Sequence, residues 1–210
     1  MKRFVHLHVH SEYSLLDGAC RIVGPKHTSP LFDTCKAKGF DAIAVTDHGN
    51  MFGIYSFLET FQGSGIKPII GSEFYVATNM HENTKEYFHL VLLAKNIEGY
   101  HNLMKLSSFG YTEGFYYKPR IDLELLKKYS SGLICLSACL AGKIPQLLLG
   151  NDYEGAVKYA KTLMSMFDDG DFYIEIQDHQ TRCHRISRHR QARDQGADRN
   201  AQNTSPHDNG

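Results

Sequence analysis

VHLHVH, at residues 5–10, sets three histidines in alternation with three apolar residues. Because successive side chains of a β-strand point to opposite faces, we expect His6, His8 and His10 on one face. Neighbours on that face lie about 6.6 Å apart along a strand, so two imidazoles can reach one ion or adjacent ions. A strand with an ordinary polar face is the alternative. Three histidines in alternation favour a metal site instead.

Outward from this stretch, β-like runs alternate with helical runs. The predicted strands cover residues 4–9, 42–46, 68–70 continuing into 73–76, 89–94, 133–136 and 172–176. The predicted helices begin at Pro30 after an N-cap at Ser29 and end at Gly39, then cover 52–61, 100–108, 123–129, 144–149 and 153–167. This order predicts an α/β fold with a largely parallel sheet. Six units suit an α/β barrel, although an open sheet fits the pattern as well.

Side chains able to bind metal recur beside the later strands. They are Asp47, His48, Glu73, His89 and Cys139. Each has a simpler explanation when taken alone, such as helix capping for an aspartate or burial for a cysteine. Their recurrence favours a shared site at the C-terminal strand ends of a barrel. The donors suit Zn, Mn or Fe, with Mg at carboxylate-rich parts, and such ions support phosphoester hydrolysis.

Composition favours a globular protein over a membrane protein or a strongly basic nucleic-acid-binding protein. The chain is 42% hydrophobic and 22% charged, which predicts one globular domain with a core. A formal net charge of +0 gives no global basic field for nucleic acid. No apolar run approaches the ~18 residues of a membrane span. Five scattered cysteines without a CxxC pair favour a reduced, cytoplasmic protein.

The last 31 residues differ from the rest in composition. Residues 1–179 contain fourteen Lys and three Arg, whereas residues 180–210 contain no Lys, six Arg and neither Phe nor Tyr. So polar a segment buries too little surface to offset its ordering entropy, and we expect it to be disordered. The abrupt change suggests the hypothesis of an out-of-frame sequence joined after His179.

Seven stretches, in order, resemble the PHP (polymerase and histidinol phosphatase) domain. The resemblance is to the form that opens the C-family bacterial replicative polymerases, the DNA polymerase III alpha family. The stretches are HLHVHSEYSLLDG at 6–18, AVTDHGNMFG at 44–53, GIKPIIGSEFYVA at 65–77, FHLVLLAKNIEGYHNLMKLSS at 88–108, GFYYKPRID at 114–122, GLICLSACLAGKIPQ at 132–146 and FYIEIQDH at 172–179.

The resemblance implies a distorted (β/α)7 barrel with up to three divalent metal ions at the C-terminal strand ends. The ligands that it implies are His8, His10, Asp17, His48, Glu73, His89 and Cys139. In this family His6 is not expected to bind metal, and local hydrogen bonding is its expected role. No catalytic residue is expected beyond the metal site, because the polymerase carboxylates lie far downstream in the family.

One departure from the family concerns its last unit. The family closes its site with a strand bearing a TNDxHY-like motif, which this sequence lacks. Asp178 and His179 belong to the preceding element. We therefore expect residues 1–179 to form an incomplete (β/α)7 barrel without its last unit, which leaves a sheet edge exposed.

The function implied is that of a polymerase fragment. Its parent carries out template-directed DNA synthesis, and the domain itself resembles a metal-dependent phosphoesterase or 3′–5′ exonuclease. The implied partners are the remainder of the polymerase chain, DNA and replisome subunits such as a proofreading exonuclease, without a membrane. The alternatives are a non-catalytic scaffold of the polymerase and a stand-alone phosphatase such as a histidinol phosphatase.

Overall fold

The computed structural model describes residues 4–24 and 28–177. Within these ranges the elements, in chain order, are α1 (Pro30–Ala37), β1 (Ala42–Val45), α2 (Ile54–Phe61), β2 (Lys67–Val76), β3 (Phe88–Ala94), α3 (Ile97–Thr112), β4 (Phe115–Tyr116), β5 (Lys118–Ile121), α4 (Leu123–Lys128), β6 (Leu133–Leu136), α5 (Lys143–Leu149), α6 (Tyr153–Met164) and β7 (Phe172–Tyr173). The α/β class is confirmed. The tail predicted to be disordered lies outside the described residues.

Local sequence signals account for several helix ends. Ser29 caps α1 by accepting a hydrogen bond from the backbone N–H of Phe32, and Pro30 occupies the first turn. Gly39 follows the helix with a positive φ of 67°, as predicted for its end. Asn96 and Asp122 cap α3 and α4 in the same way as Ser29.

The seven strands of the described chain form one mixed sheet that is rich in parallel pairings. The order is β4-β5-β2-β3-β6-β7, with β1 pairing in parallel with β2. β3 is antiparallel to both β2 and β6. The ten-residue β2 joins the sheet together, because its first half pairs with β1 and its second half pairs with β3.

The histidine segment runs beside β1 without forming a continuous strand. His6 makes an isolated parallel bridge with Ile43. The backbone N–H of Val9 donates instead to the hydroxyl of Thr46 at 2.9 Å, which interrupts the backbone ladder. The predicted strand is therefore extended chain held by scattered bonds.

Three apolar clusters support the sheet in the described chain, the smallest of them around Ala44, Val91 and Leu136. The largest packs α3, α4 and α6 against β2, β3 and β6 around residues such as Leu92, Leu103 and Leu163. The second packs α1 and α2 against β1 around Phe57 and Phe61. Within the described ranges, every helix is too short or too polar to span a lipid bilayer.

Candidate metal centre

A buried aspartate fixes the loop that follows the histidine segment. The Asp47 carboxylate accepts hydrogen bonds from the backbone N–H of Ser11 at 2.7 Å, from its hydroxyl at 2.6 Å and from the hydroxyl of Ser14 at 2.7 Å. Asp47 therefore does not cap the next helix, which begins after Gly53. It ties the first loop to the end of β1, where the chain continues into His48.

Four imidazoles surround the carboxylate of Glu73, whose side chain is fully buried. The nearest nitrogens lie 3.3 Å away for His8, 3.3 Å for His10, 2.7 Å for His48 and 2.9 Å for His89. Nε2 of His8 and Nε2 of His10 are 3.0 Å apart. The four imidazoles come from three segments of the chain and meet at Glu73, which belongs to a fourth.

Asp17 closes the more exposed side of the cluster. Its Oδ2 lies 3.0 Å from Nε2 of His48, and its Oδ1 lies 3.6 Å from Nδ1 of His10. The Asp17 side chain is 58% exposed, whereas that of His48 is only 19% exposed. Asp17 is therefore the member of the cluster most open to solvent.

Cys139 approaches from the end of β6. Its Sγ lies 3.7 Å from Oε1 of Glu73 and 3.9 Å from Nδ1 of His89. The preceding Ala138 has a φ of 63°, a left-handed conformation that disfavours side chains and that tends to occur at functional sites. All seven residues of the predicted ligand set are thus brought together.

The direction of β3 explains how His89 joins this cluster. His89 is the second residue of β3, so a parallel strand would place it at the opposite edge of the sheet. Because β3 is antiparallel to β2, with His89 opposite Tyr75, its start lies beside the end of β2. The prediction of one shared edge was right, but the prediction of parallel strands was wrong for this element.

The turn after His48 requires glycine. Gly49 has a φ of 63°, and a Cβ there would lie 2.8 Å from both the Tyr75 ring and Pro119. A larger residue would be strained and would displace the ring that stacks on His48, 6.1 Å away between centroids. The glycine therefore allows His48 to approach Glu73.

The cluster shifts the pKa values of Glu73, His8 and His89 strongly. Burial raises the pKa of Glu73, but the surrounding imidazoles of His10, His48, His8 and His89 outweigh it and hold this pKa well below the ordinary range. Burial lowers the pKa of His8, but hydrogen bonds with Glu175 and Glu73 raise it to about 10. For His89, Cys139 and Glu73 overcome burial and raise the pKa to about 9.

The donor set fits divalent metal ions. Three overlapping groups place their ligand atoms within 4.8 Å of one another: His8, His10 and Glu73; His10, Asp17 and His48; His48, Glu73 and His89. Nδ1 of His48 and Oε2 of Glu73 are buried, and within the described chain neither makes a hydrogen bond of acceptable geometry. Imidazole nitrogen, carboxylate oxygen and an adjacent thiol suit Zn, Mn or Fe.

Metal binding should release protons. At pH 7.5 the pKa values of about 10 for His8 and about 9 for His89 keep both rings protonated in the metal-free chain, whereas a metal needs the neutral rings. We expect Zn²⁺ to displace close to two protons and to bind more tightly as the pH rises from 7 to 9. Isothermal titration calorimetry in buffers of different ionisation enthalpy measures this release; a binding enthalpy independent of the buffer would contradict it.

The same pKa values set the sign of a stability effect. A raised histidine pKa stabilises the folded metal-free chain below the ordinary value of 6.5, and this contribution is lost as the pH rises through 9 to 10. Without metal, the free energy of unfolding should therefore fall between pH 7 and 10.

Two residues differ from the expectations. Glu175, which was not in the predicted set, lies with Oε1 2.8 Å from Nδ1 of His8. The sequence signal that could have identified Glu175 was its position near the end of a predicted strand.

His6 packs its ring against Phe4 and Phe40, at centroid distances of 4.8 and 5.2 Å. It is thus placed by ring contacts, and its backbone carbonyl accepts a hydrogen bond from Ala44.

Comparison with known proteins gives one family match and many close relatives. Residues 6–179 match the model of the PHP domain. The chain is 50% identical over 182 residues to the DNA polymerase III subunit alpha of Treponema pallidum, and 49% identical over 183 residues to that of Borreliella burgdorferi. Each alignment covers 84% of this chain but only 15% of the relative. Among solved structures, an amidohydrolase from Chromobacterium violaceum is 21% identical to this chain, with a TM-score of 0.33. The match covers 50% of this chain and 34% of the amidohydrolase chain. This likeness is too weak to support an inference.

Proposed function

This chain belongs to the PHP domain family, and from that premise we propose that it performs metal-dependent phosphoester hydrolysis as the N-terminal part of a DNA polymerase III alpha chain. The proposed substrate is the terminal phosphodiester of a DNA 3′ end, attacked as in a 3′–5′ exonuclease. The proposed parent carries out template-directed DNA synthesis in the cytoplasm. Its proposed partners are the rest of the polymerase chain, DNA and a proofreading exonuclease subunit.

The observation that carries this proposal is the convergence on Glu73. Nitrogens of four histidines lie within 3.3 Å of its carboxylate oxygens. A buried carboxylate shared by several imidazoles can bridge two ions, and paired ions are typical of phosphoester hydrolysis. We propose His8, His10, Asp17, His48, Glu73, His89 and Cys139 as the ligands of up to three divalent ions.

When bound, such ions would lower the pKa of water and neutralise phosphate oxygens. The protein's own contribution is positioning. Asp47 holds the Ser11–Ser14 turn, and thereby the start of the loop that carries Asp17. Glu73 and the imidazoles keep the inner side of the site buried, and Asp17 faces the solvent side, from which a substrate would enter.

We further propose that residues 1–179 correspond to an incomplete, distorted (β/α)7 barrel lacking its last unit. The support is a sheet in which β1, β2 and β5 are parallel neighbours and β6 and β7 are parallel neighbours.

A scaffold without catalysis is the second candidate. The chain spans 15% of the length of the relatives named above, so a supporting role within a large polymerase fits the same alignment. Metal binding together with DNA hydrolysis would separate the catalytic proposal from this one.

Removing His8 and His10 tests the proposed function. In the Mn²⁺-loaded chain, the double substitution His8→Ala with His10→Ala should abolish bound metal in elemental analysis and the shortening of a 5′-labelled single-stranded DNA. The matched control replaces His81 and His101, two exposed histidines, and should leave both unchanged. Wild-type chain that binds Mn²⁺ without shortening DNA would favour the scaffold, and turnover retained by the double variant would refute the metal assignment.

A further inference from the structure

His8 has different surroundings at its two ring nitrogens. Nε2 faces the metal cluster, 3.0 Å from Nε2 of His10 and 3.3 Å from Oε1 of Glu73. Nδ1 faces a carboxylate outside the predicted ligand set, 2.8 Å from Oε1 of Glu175. The Glu175 side chain is only 12% exposed, so this contact is shielded from water.

The backbone holds Glu175 in place from the strand beside it. Its N–H donates to the hydroxyl of Ser137 at 2.9 Å. The N–H of Ser137 in turn donates to the carbonyl of Tyr173 at 3.0 Å. Ser137 directly follows β6 and precedes Cys139 by two residues. The Glu175 carboxylate is thus anchored to the segment that brings Cys139 to the cluster.

We propose that Glu175 is a positioning residue that accepts a hydrogen bond from Nδ1–H of His8 and thereby presents the Nε2 lone pair to the ion. This proposal rests on the proposed metal site. A neutral imidazole carries one N–H and one lone pair, and the partner of one nitrogen decides which nitrogen binds metal. None of the three ion-capable groups of the described chain includes Glu175, whereas His8 belongs to one of them.

A purely structural role for Glu175 makes a different prediction. If the carboxylate only helped to fix the chain after β7, its loss would lower stability without changing the nitrogen through which His8 binds an ion. The identity of that nitrogen is therefore the informative measurement.

The test adds ¹¹³Cd²⁺ to the whole 210-residue chain labelled with ¹⁵N-histidine and records nitrogen–cadmium couplings by NMR. His8 signals are assigned by their loss in His8→Gln. In the wild type we expect coupling at Nε2 of His8. In Glu175→Ala we expect cadmium affinity to fall about ten- to hundredfold and coupling to spread to Nδ1. Glu175→Gln should largely restore both, because its amide oxygen still accepts from Nδ1–H, and Ile174→Ala is the control in the same segment.

The outcomes separate this proposal from the one on which it rests. A wild-type chain that binds no cadmium overturns both. Wild-type affinity and Nε2 coupling in Glu175→Ala overturn the positioning role and leave the metal site standing. Should the alanine variant not fold, the wild-type spectrum decides: cadmium on Nδ1 of His8 overturns the proposal, and cadmium on Nε2 with a proton on Nδ1 supports it.

Discussion

Glu73→Gln is expected to weaken metal binding by at least about a hundredfold, more than the loss of a residue that only supports a ligand. The carboxylate is fully buried and belongs to two of the three ion-capable groups. Glutamine keeps the shape but removes the negative charge that faces four imidazoles. The same variant should lose DNA hydrolysis. Calorimetric titration with Zn²⁺ and elemental analysis after dialysis measure the change.

The control for this prediction is an exposed carboxylate on the same chain. Glu98→Gln, in the first turn of α3, removes an equal charge far from the imidazoles and should leave metal affinity unchanged. Near-normal metal content in Glu73→Gln would contradict this prediction and show that metal binding does not depend on the Glu73 carboxylate.

Arg120→Met is expected to lower the free energy of unfolding by about 3 kcal/mol or more, because hydrogen bonds to a charged group contribute about 1.5–3 kcal/mol each. The guanidinium is 1% exposed and donates to the carbonyls of Gly114, Thr84, Met80 and Glu82. Within the described ranges no carboxylate lies within 4.0 Å of it. Methionine fills part of the space but leaves four carbonyls without this donor.

Chemical denaturation of the metal-free chain measures this loss. Lys118→Met, two residues earlier in β5, is a matched control that should change stability by much less. Arg120→Lys tests whether charge or geometry is responsible for the stabilisation. The lysine ammonium keeps the positive charge, but it lacks the planar guanidinium that lets Arg120 reach four carbonyls. Full recovery in the lysine variant would mean that charge, and not the geometry of the fork, stabilises the segment from Met80 to Thr84.

The sequence predicted which residues lie in the cluster around Glu73 better than it predicted the directions of the strands that carry them. VHLHVH, TDHG and GSEFYV carry side chains that can bind metal, and the recurrence of such side chains along the chain predicted one site. The direction of β3 was not predictable from its composition, because apart from His89 its residues are all apolar, and such runs fit either direction. His89 was predicted as a metal-capable side chain beside its strand, and the family resemblance then implied it as a ligand. Only the antiparallel pairing of β3 explains how it reaches the cluster.

Other features depend on tertiary contacts that no local pattern reports. The hairpin of β4 and β5 was missed because Phe115–Ile121 contains Pro119, which argues against a strand unless it lies near an edge. Asp47 looked like a helix cap, yet its partners are hydroxyls more than thirty residues away. Glu175 lies 167 residues from the ring it contacts. Contacts between residues so far apart in the sequence depend on the tertiary fold, so the spacing of residues within a local motif does not predict them.

The sequence distance between His8 and Glu175 bears on when the site can form during translation. At about 5–20 residues per second, the ribosome needs roughly 8 to 33 seconds to add the residues between them. Until Glu175 has been added, His8 lacks the carboxylate that positions its ring. The proposed ligands can therefore all be present before the residue that positions His8 has been added.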